Sequence, residues 1–230
     1  MKHSIALLTA AAVIVPALAG QVKNLSQGPH RMELTLERRE GDAWRAVDPG
    51  LVFNTNDRVR FRMRPNFDGY LYVMSQGTSG QYGTLFPRQD TGEQNRIQAG
   101  KEYIVPATQG WFRITGPPGQ DILYWMVTPV ALGSQPPYQP LPPPPKPGVA
   151  PPSMTPRCDD TLFKARGECI DTSAGPHSVR KPDNLPENLS KVPGTASREL
   201  MFIREKNLSV VASPVPLSGP VIYEFRLAHR

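Results

Sequence analysis

At 230 residues, the chain is long enough for one good domain with appendages or for two small domains. Its 27 prolines and 19 glycines exclude a large helical protein. The formal charge of +6 is mild and scattered, whereas a nucleic-acid binder gathers its basic residues on one face or helix, so that class is set aside.

Residues 1–19 open with Met-Lys-His, continue through an apolar run from Ile5 to Val15, meet Pro16 and close on Ala17-Leu18-Ala19. A basic start, a short apolar stretch and a small-x-small exit are the three parts of a secretory signal, with cleavage expected after Ala19. A membrane anchor is the alternative, but a spanning helix needs about 20 apolar residues and tolerates an internal proline poorly. No later segment is long or apolar enough to span a bilayer, so the expectation is an exported chain without a transmembrane segment. In that compartment nucleic acid is an improbable partner. Acidic polysaccharide, lipopolysaccharide or phospholipid head groups are the compatible anionic ones.

After a lead over 20–30, the hydrophobic period is two from about His30 to Val130, the mark of strands. In RMELTLER, Met32, Leu34 and Leu36 alternate with charged or polar neighbours, and in DRVRFRMR, Val59, Phe61 and Met63 alternate with arginines. Each of these strands should bury one face and wet the other. GYLYVMSQG is apolar on both sides and reads as a central strand covered twice. Glycines 77, 80 and 83 mark a turn, and YGTLFP is the returning strand. EYIVP, WFRITG and DILYWMVT continue the series. Short strands with turn residues between them predict a sandwich or a partly open barrel.

Between Gly133 and Pro156 the composition changes, with 11 prolines in 24 residues. Such a tract resists helix and sheet and adopts extended polyproline II, so it is read as a stiff spacer rather than as a ligand for an aromatic groove. Cys158 and Cys169 follow, the only two cysteines. In an oxidising compartment they predict one disulfide. Two cysteines without a nearby histidine fall short of a four-ligand metal site, and their spacing is not that of a redox pair. Three apolar patches, ELMFIRE, LSVVAS and VIYEFRLAH, close the chain. In the last, Val221, Tyr223, Phe225 and Leu227 form a wholly apolar side that 32 residues cannot bury alone. The tail is therefore expected to return to the sandwich as additional strands.

Signs of catalysis are sparse. His30, His177 and His229 stand apart in sequence, no pair has metal-ligand spacing, and no serine sits in a G-x-S-x-G elbow. QGTSGQYG lacks the Lys-Ser/Thr ending of a phosphate loop and reads as a turn. Asp57, Asp68, Asp90 and Asp121 lie beside turn or strand-edge signals, where aspartate serves the backbone. No catalytic residue, metal or cofactor is assigned.

The stretch with most physical content is Arg58, Arg60, Arg62 and Arg64. Alternate strand residues share a face, so four guanidinium groups should line one side at about 7 Å steps. A guanidinium is a forked, permanently charged donor suited to carboxylate and phosphate, which makes this a candidate anion-binding face. On the other reading, Glu33 and Glu37 of a neighbouring strand pair with the arginines across the sheet. Binding to acidic polymers would then be weak and would vanish near physiological salt, where charges are screened beyond about 8 Å. Trp111, Tyr82 and Trp44 are the aromatics that could stack on a sugar ring or pack in the core.

The run DGYLYVMSQGTSGQYGTLFP, then NRIQAGKEYIVP, then GWFRITGPPGQDILYWMVTP, resembles the bacterial domain-of-unknown-function family numbered 4384 over about residues 51–130. The resemblance implies a small β-sandwich-like domain, often joined to signal peptides or unrelated modules, and carries no established activity or site residue. YWMVTP departs from it, since the family phrase ends in serine-arginine-x-proline. YEFRLAHR resembles the ends of longer, signal-bearing members, which implies that linker, disulfide and tail recur together.

The combined expectation is an all-β, β-sandwich-like single domain, with a C-terminal strand segment returning after a proline-rich linker. Its divisions are a signal over 1–19, the lead over 20–30, the sandwich over 31–130, the linker over 131–157, the disulfide segment over 158–198 and the tail strands over 199–230. The expected function is that of an exported non-catalytic envelope module binding a protein partner or a surface glycan. The alternatives are a hydrolase acting on cell wall or surface polymer, and a structural accessory subunit of an envelope assembly.

Overall fold

The computed structural model describes residues 29–87, 95–106, 110–130, 132, 143–146, 154–165, 167–179, 185–192 and 200–230. The expected signal, nearly all of the lead, most of the proline-rich linker and Asp90 lie outside the described residues.

The period-two segments form the strands they predict. RMELTLER lies in β1 (His30–Glu40), DRVRFRMR in β3 (Arg58–Pro65), GYLYVMSQ in β4 (Gly69–Gln76) and GQDILYWMVT in β9 (Gly119–Thr128). Shorter strands fill the connections: β2 (Ala43–Ala46), β5 (Tyr82–Phe86), β6 (Arg96–Ile97), β7 (Tyr103–Val105) and β8 (Phe112–Arg113). The second half adds β10 (Gly175–Ser178), β11 (Met201–Glu205), β12 (Leu208–Ser213) and β13 (Val221–His229). Two short helical turns, α1 (Thr161–Lys164) and α2 (Glu187–Ser190), lie in the disulfide segment over 158–198.

Among the described residues these strands make two antiparallel sheets in a sandwich-like single domain. The first runs β11-β12-β1-β3-β7, with β2 also on β1 and β8 also on β3. The second runs β10-β13-β9-β4-β5, with β6 also on β4. The inner faces meet through the alternation the sequence shows: Leu34, Leu36, Phe61 and Met63 from one sheet face Leu71, Val73, Leu123, Trp125, Tyr223 and Phe225 from the other. Phe61 sets its ring edge-on to Trp125 at 5.3 Å and to Phe225 at 4.9 Å, aromatic geometry that adds to area burial.

The tail returns as expected, and to both sheets. β12 pairs with β1 from His30↔Ser213 to Thr35↔Leu208. β13 inserts between β10 and β9 and pairs with β9 along its whole length, from Val221↔Val127 to His229↔Gly119. Every residue of β13 is buried, not only the apolar side. The second side includes Glu224 and Arg226, whose ion pair is enclosed on the outer face of the second sheet. On that face Tyr72 and Met74 of β4 are also buried, under Leu189 and Val192. This is the double cover that an all-apolar strand requires, supplied by the stretch around α2.

The disulfide Cys158–Cys169 forms, closing a sequence separation of 11. Its segment docks on the chain ahead of β3: Val52 N–H donates to Cys169 O at 2.9 Å, and Asp171 N–H donates to Gly50 O at 2.8 Å. A Cβ at Gly50 would stand 2.7 Å from the Asp171 carbonyl oxygen, so only glycine permits this approach. Asp171 is buried and accepts from Ser173 N, Ser173 Oγ, Gln120 Nε2 and Arg157 N. Replacing both cysteines by serine is expected to cost roughly 3 kcal/mol, the loop-closure entropy returned to the unfolded chain. The check is a lowered melting temperature without reductant, reproduced by reducing the parent; equal melting curves would refute it. No helix among the described residues is long and apolar enough to cross a membrane.

Candidate ligand face

The arginines of β3 lie where the pleat requires, on the outer face of the first sheet, with Val59, Phe61 and Met63 turned into the core. The β1–β3 register sets Glu37 opposite Arg60, Thr35 opposite Arg62 and Glu33 opposite Arg64. Glu37, whose side chain is only 1 % exposed, accepts from Arg60 Nε at 2.7 Å and pairs with Arg62 Nη2. Such a carboxylate is held in place because its two guanidinium partners offset the cost of desolvating it. Glu33 lies 3.2 Å from Arg31 and 3.6 Å from Arg64, and Glu102 lies 3.9 Å from Arg62. Glu33 and Glu37 are thus each shared between two guanidinium groups, so they offset only part of the positive charge.

At the start of β3 the arrangement is different. Arg58 is the cross-strand partner of Arg113 on β8, two like charges directly opposite one another. Such a pairing destabilises a sheet unless something relieves it. Both guanidinium groups instead approach Trp111, with their carbons 4.6 Å and 5.9 Å from the ring centre. Among the described residues, neither Arg58 nor Arg113 has a carboxylate within salt-bridge distance. Trp111 is 38 % exposed.

The other aromatics are more committed. Trp44 lies between Arg39 and Arg60, 5.5 Å and 4.3 Å from their guanidinium carbons, and Arg60 is already bound to Glu37. Tyr82 accepts from Gln76 Nε2 at 2.8 Å and packs in the covered outer layer of the second sheet. In that layer Tyr124 donates to Gln76 Oε1 at 3.0 Å, and burial pushes its phenol well above the usual tyrosine range. His177 stands opposite Glu224. Burial lowers its pKa, Arg226 acts in the same direction and Glu224 opposes them.

The remaining candidates serve the backbone. Asp57 accepts from Asn54 N within its own turn, and Asp68 accepts from Ala99 N, 31 residues away in sequence. His30 Nδ1 accepts from Leu217 N at 3.0 Å. His229, read as standing apart, is brought beside Asp121, with Nε2 3.4 Å from Oδ1; Oδ1 also accepts from Thr78 N. His229 is 0 % exposed and the Asp121 side chain 13 % exposed, so only the carboxylate of this pair reaches solvent. A half-open apolar pocket at one end of the sandwich is lined by Met32, Phe67, Val127, Val211 and Tyr223.

Sequence reasoning missed Arg113. Its isolated position in WFRITG gives no stripe, and only the β3–β8 register sets it across from Arg58. Its two-residue spacing from Trp111, with Phe112 between them in partial contact with the core, was the available signal.

No curated protein and no solved structure matches the chain. One family does, over residues 52–130, a span that begins just before β3 and ends just after β9. Over that segment the chain matches the family described as Domain of unknown function (DUF4384).

Proposed function

We propose that this chain is an exported, non-catalytic binding module of the cell envelope that takes an anionic surface component on the outer face of its first sheet. The observation that carries this reading is the unequal charge on that face. Glu33 and Glu37 are each divided between two arginines, while Arg58 and Arg113 have no carboxylate partner among the described residues. Guanidinium groups held on a rigid strand are pre-organised donors for carboxylate or phosphate oxygens. The closed outer layer of the second sheet favours the first as the binding side. The signal-like residues 1–19 and the disulfide support export, since structural disulfides persist in oxidising compartments.

Two measurements test the proposal. A phosphatase that matures only outside the cytoplasm, fused to the C-terminus of the full chain, is expected to be active; an inactive fusion would count against export. The chain lacking residues 1–19 is expected to sediment with purified envelope at low salt and to be released as ionic strength rises and the Debye length falls below about 8 Å. A chain that stays in the supernatant at low salt would overturn the binding reading.

A further inference from the structure

Arg58, Trp111 and Arg113 form a compact group with an unusual balance. Two like charges face one another across a strand pair, no described carboxylate neutralises them, and one partly exposed indole lies within reach of both. A guanidinium stacked on an aromatic ring uses its flat face and leaves the N–H donors around its edge free for oxygen acceptors. Arg60 makes the contrast. It stacks on Trp44 in the same way, but its Nε is already given to Glu37. The Arg58 end of the stripe therefore keeps the Nε donor and the unpaired charge that Arg60 has given to Glu37. An anion arriving there also relieves the repulsion between Arg58 and Arg113.

We infer that Arg58, Trp111 and Arg113 form a subsite for an anionic polysaccharide, with its acidic groups on the two guanidinium groups and a sugar ring against the exposed part of the indole. The inference rests on the binding reading above and narrows it to one ligand class and one end of the face. A flat strand surface with an exposed indole suits an extended sugar chain, because ring faces stack on aromatic side chains while charged groups reach the forked donors. A lipid head-group layer also takes tryptophan, but by inserting it, whereas this indole is 38 % exposed and has two guanidinium groups against it.

The test uses the chain lacking residues 1–19, titrated at low salt with polygalacturonate for carboxylate, dextran sulfate for sulfate, neutral dextran, and phosphatidylglycerol vesicles. The parent is expected to bind one or both acidic polymers and not dextran; the polymer retained identifies the acidic group. Arg58→Ala, Trp111→Ala and Arg113→Ala should each weaken that binding about tenfold, the loss of one stacked or charge-assisted contact. Arg64→Ala, which removes a charge already near Glu33, should weaken it by less than about threefold. Arg58→Lys keeps the charge without the fork and should fall between parent and Arg58→Ala, which separates recognition geometry from net charge. Equal losses at Arg64 and Arg58, an unchanged affinity in Trp111→Ala, or vesicle binding tighter than polymer binding would each overturn the subsite and leave the broader binding reading standing. A parent that binds none of the anionic probes would overturn both.

Discussion

Ending the chain after Arg198 is expected to abolish cooperative folding. The cut removes β11, β12 and β13, and β13 is the partner of β9 along nine consecutive residues. Without it the N–H and C=O groups along one edge of β9 lose their ladder, and β10 loses the strand it pairs with. The inner core loses Tyr223, Phe225 and Leu227, while β1 loses its ladder to β12 over six residue pairs. Full burial of each such side chain stabilises by about 1.5–3 kcal/mol, so together they rival the roughly 5–15 kcal/mol net stability of a whole domain. Circular dichroism during heating should show one sigmoidal transition for the parent and none for the shortened chain. An unchanged melting temperature and strand signal would make the tail an independent appendage and refute the architecture.

The substitution Trp125→Ala is expected to destabilise by roughly 3–5 kcal/mol, the range for removing a large buried aromatic side chain. Trp125 is 0 % exposed and joins the two sheets. It meets Phe61 edge-on across the interface and stacks at 6.1 Å on Tyr223 of the neighbouring strand. Neighbours held by two rigid sheets cannot collapse fully into the space, so a cavity cost adds to the lost transfer energy. Urea unfolding monitored in the far ultraviolet should show a lower midpoint with an unchanged slope. Trp111→Ala, at a partly exposed position, should move the midpoint little. Similar shifts in the two variants would refute the assignment of Trp125 to the core.

Much of this arrangement was legible because a strand writes its two faces into alternate letters. Met32, Leu34 and Leu36, and Val59, Phe61 and Met63, indicated which side is core, and the same alternation placed Arg60 and Arg62 on the side where Glu37 lies. What alternation cannot give is the neighbour. Nothing local in VIYEFRLAH says that it lies between β9 and β10, because that choice depends on pairing residues about a hundred positions apart. The apolar outer side of β4 announced that something must cover Tyr72 and Met74. The cover itself, Leu189 and Val192 around the four-residue α2, is too short to show a helical period. The candidate site divides similarly: the arginine stripe was visible, whereas its division into neutralised and unneutralised ends needed the register of β8, fixed by two residue pairs.

The place of β13 also sets an order of events. The second sheet is built around a strand that follows every other strand in the chain, and Phe53, near its beginning, bridges to His229 near its end. However early β4 and β9 emerge during synthesis, the sandwich cannot close until residues 221–229 are available. Contacts of such long sequence separation also make closure slow. For a polypeptide that is exported, as proposed for this one, such a delay keeps the chain open for longer. Here the delay is inherent in the topology: the piece that completes the fold is the last to arrive.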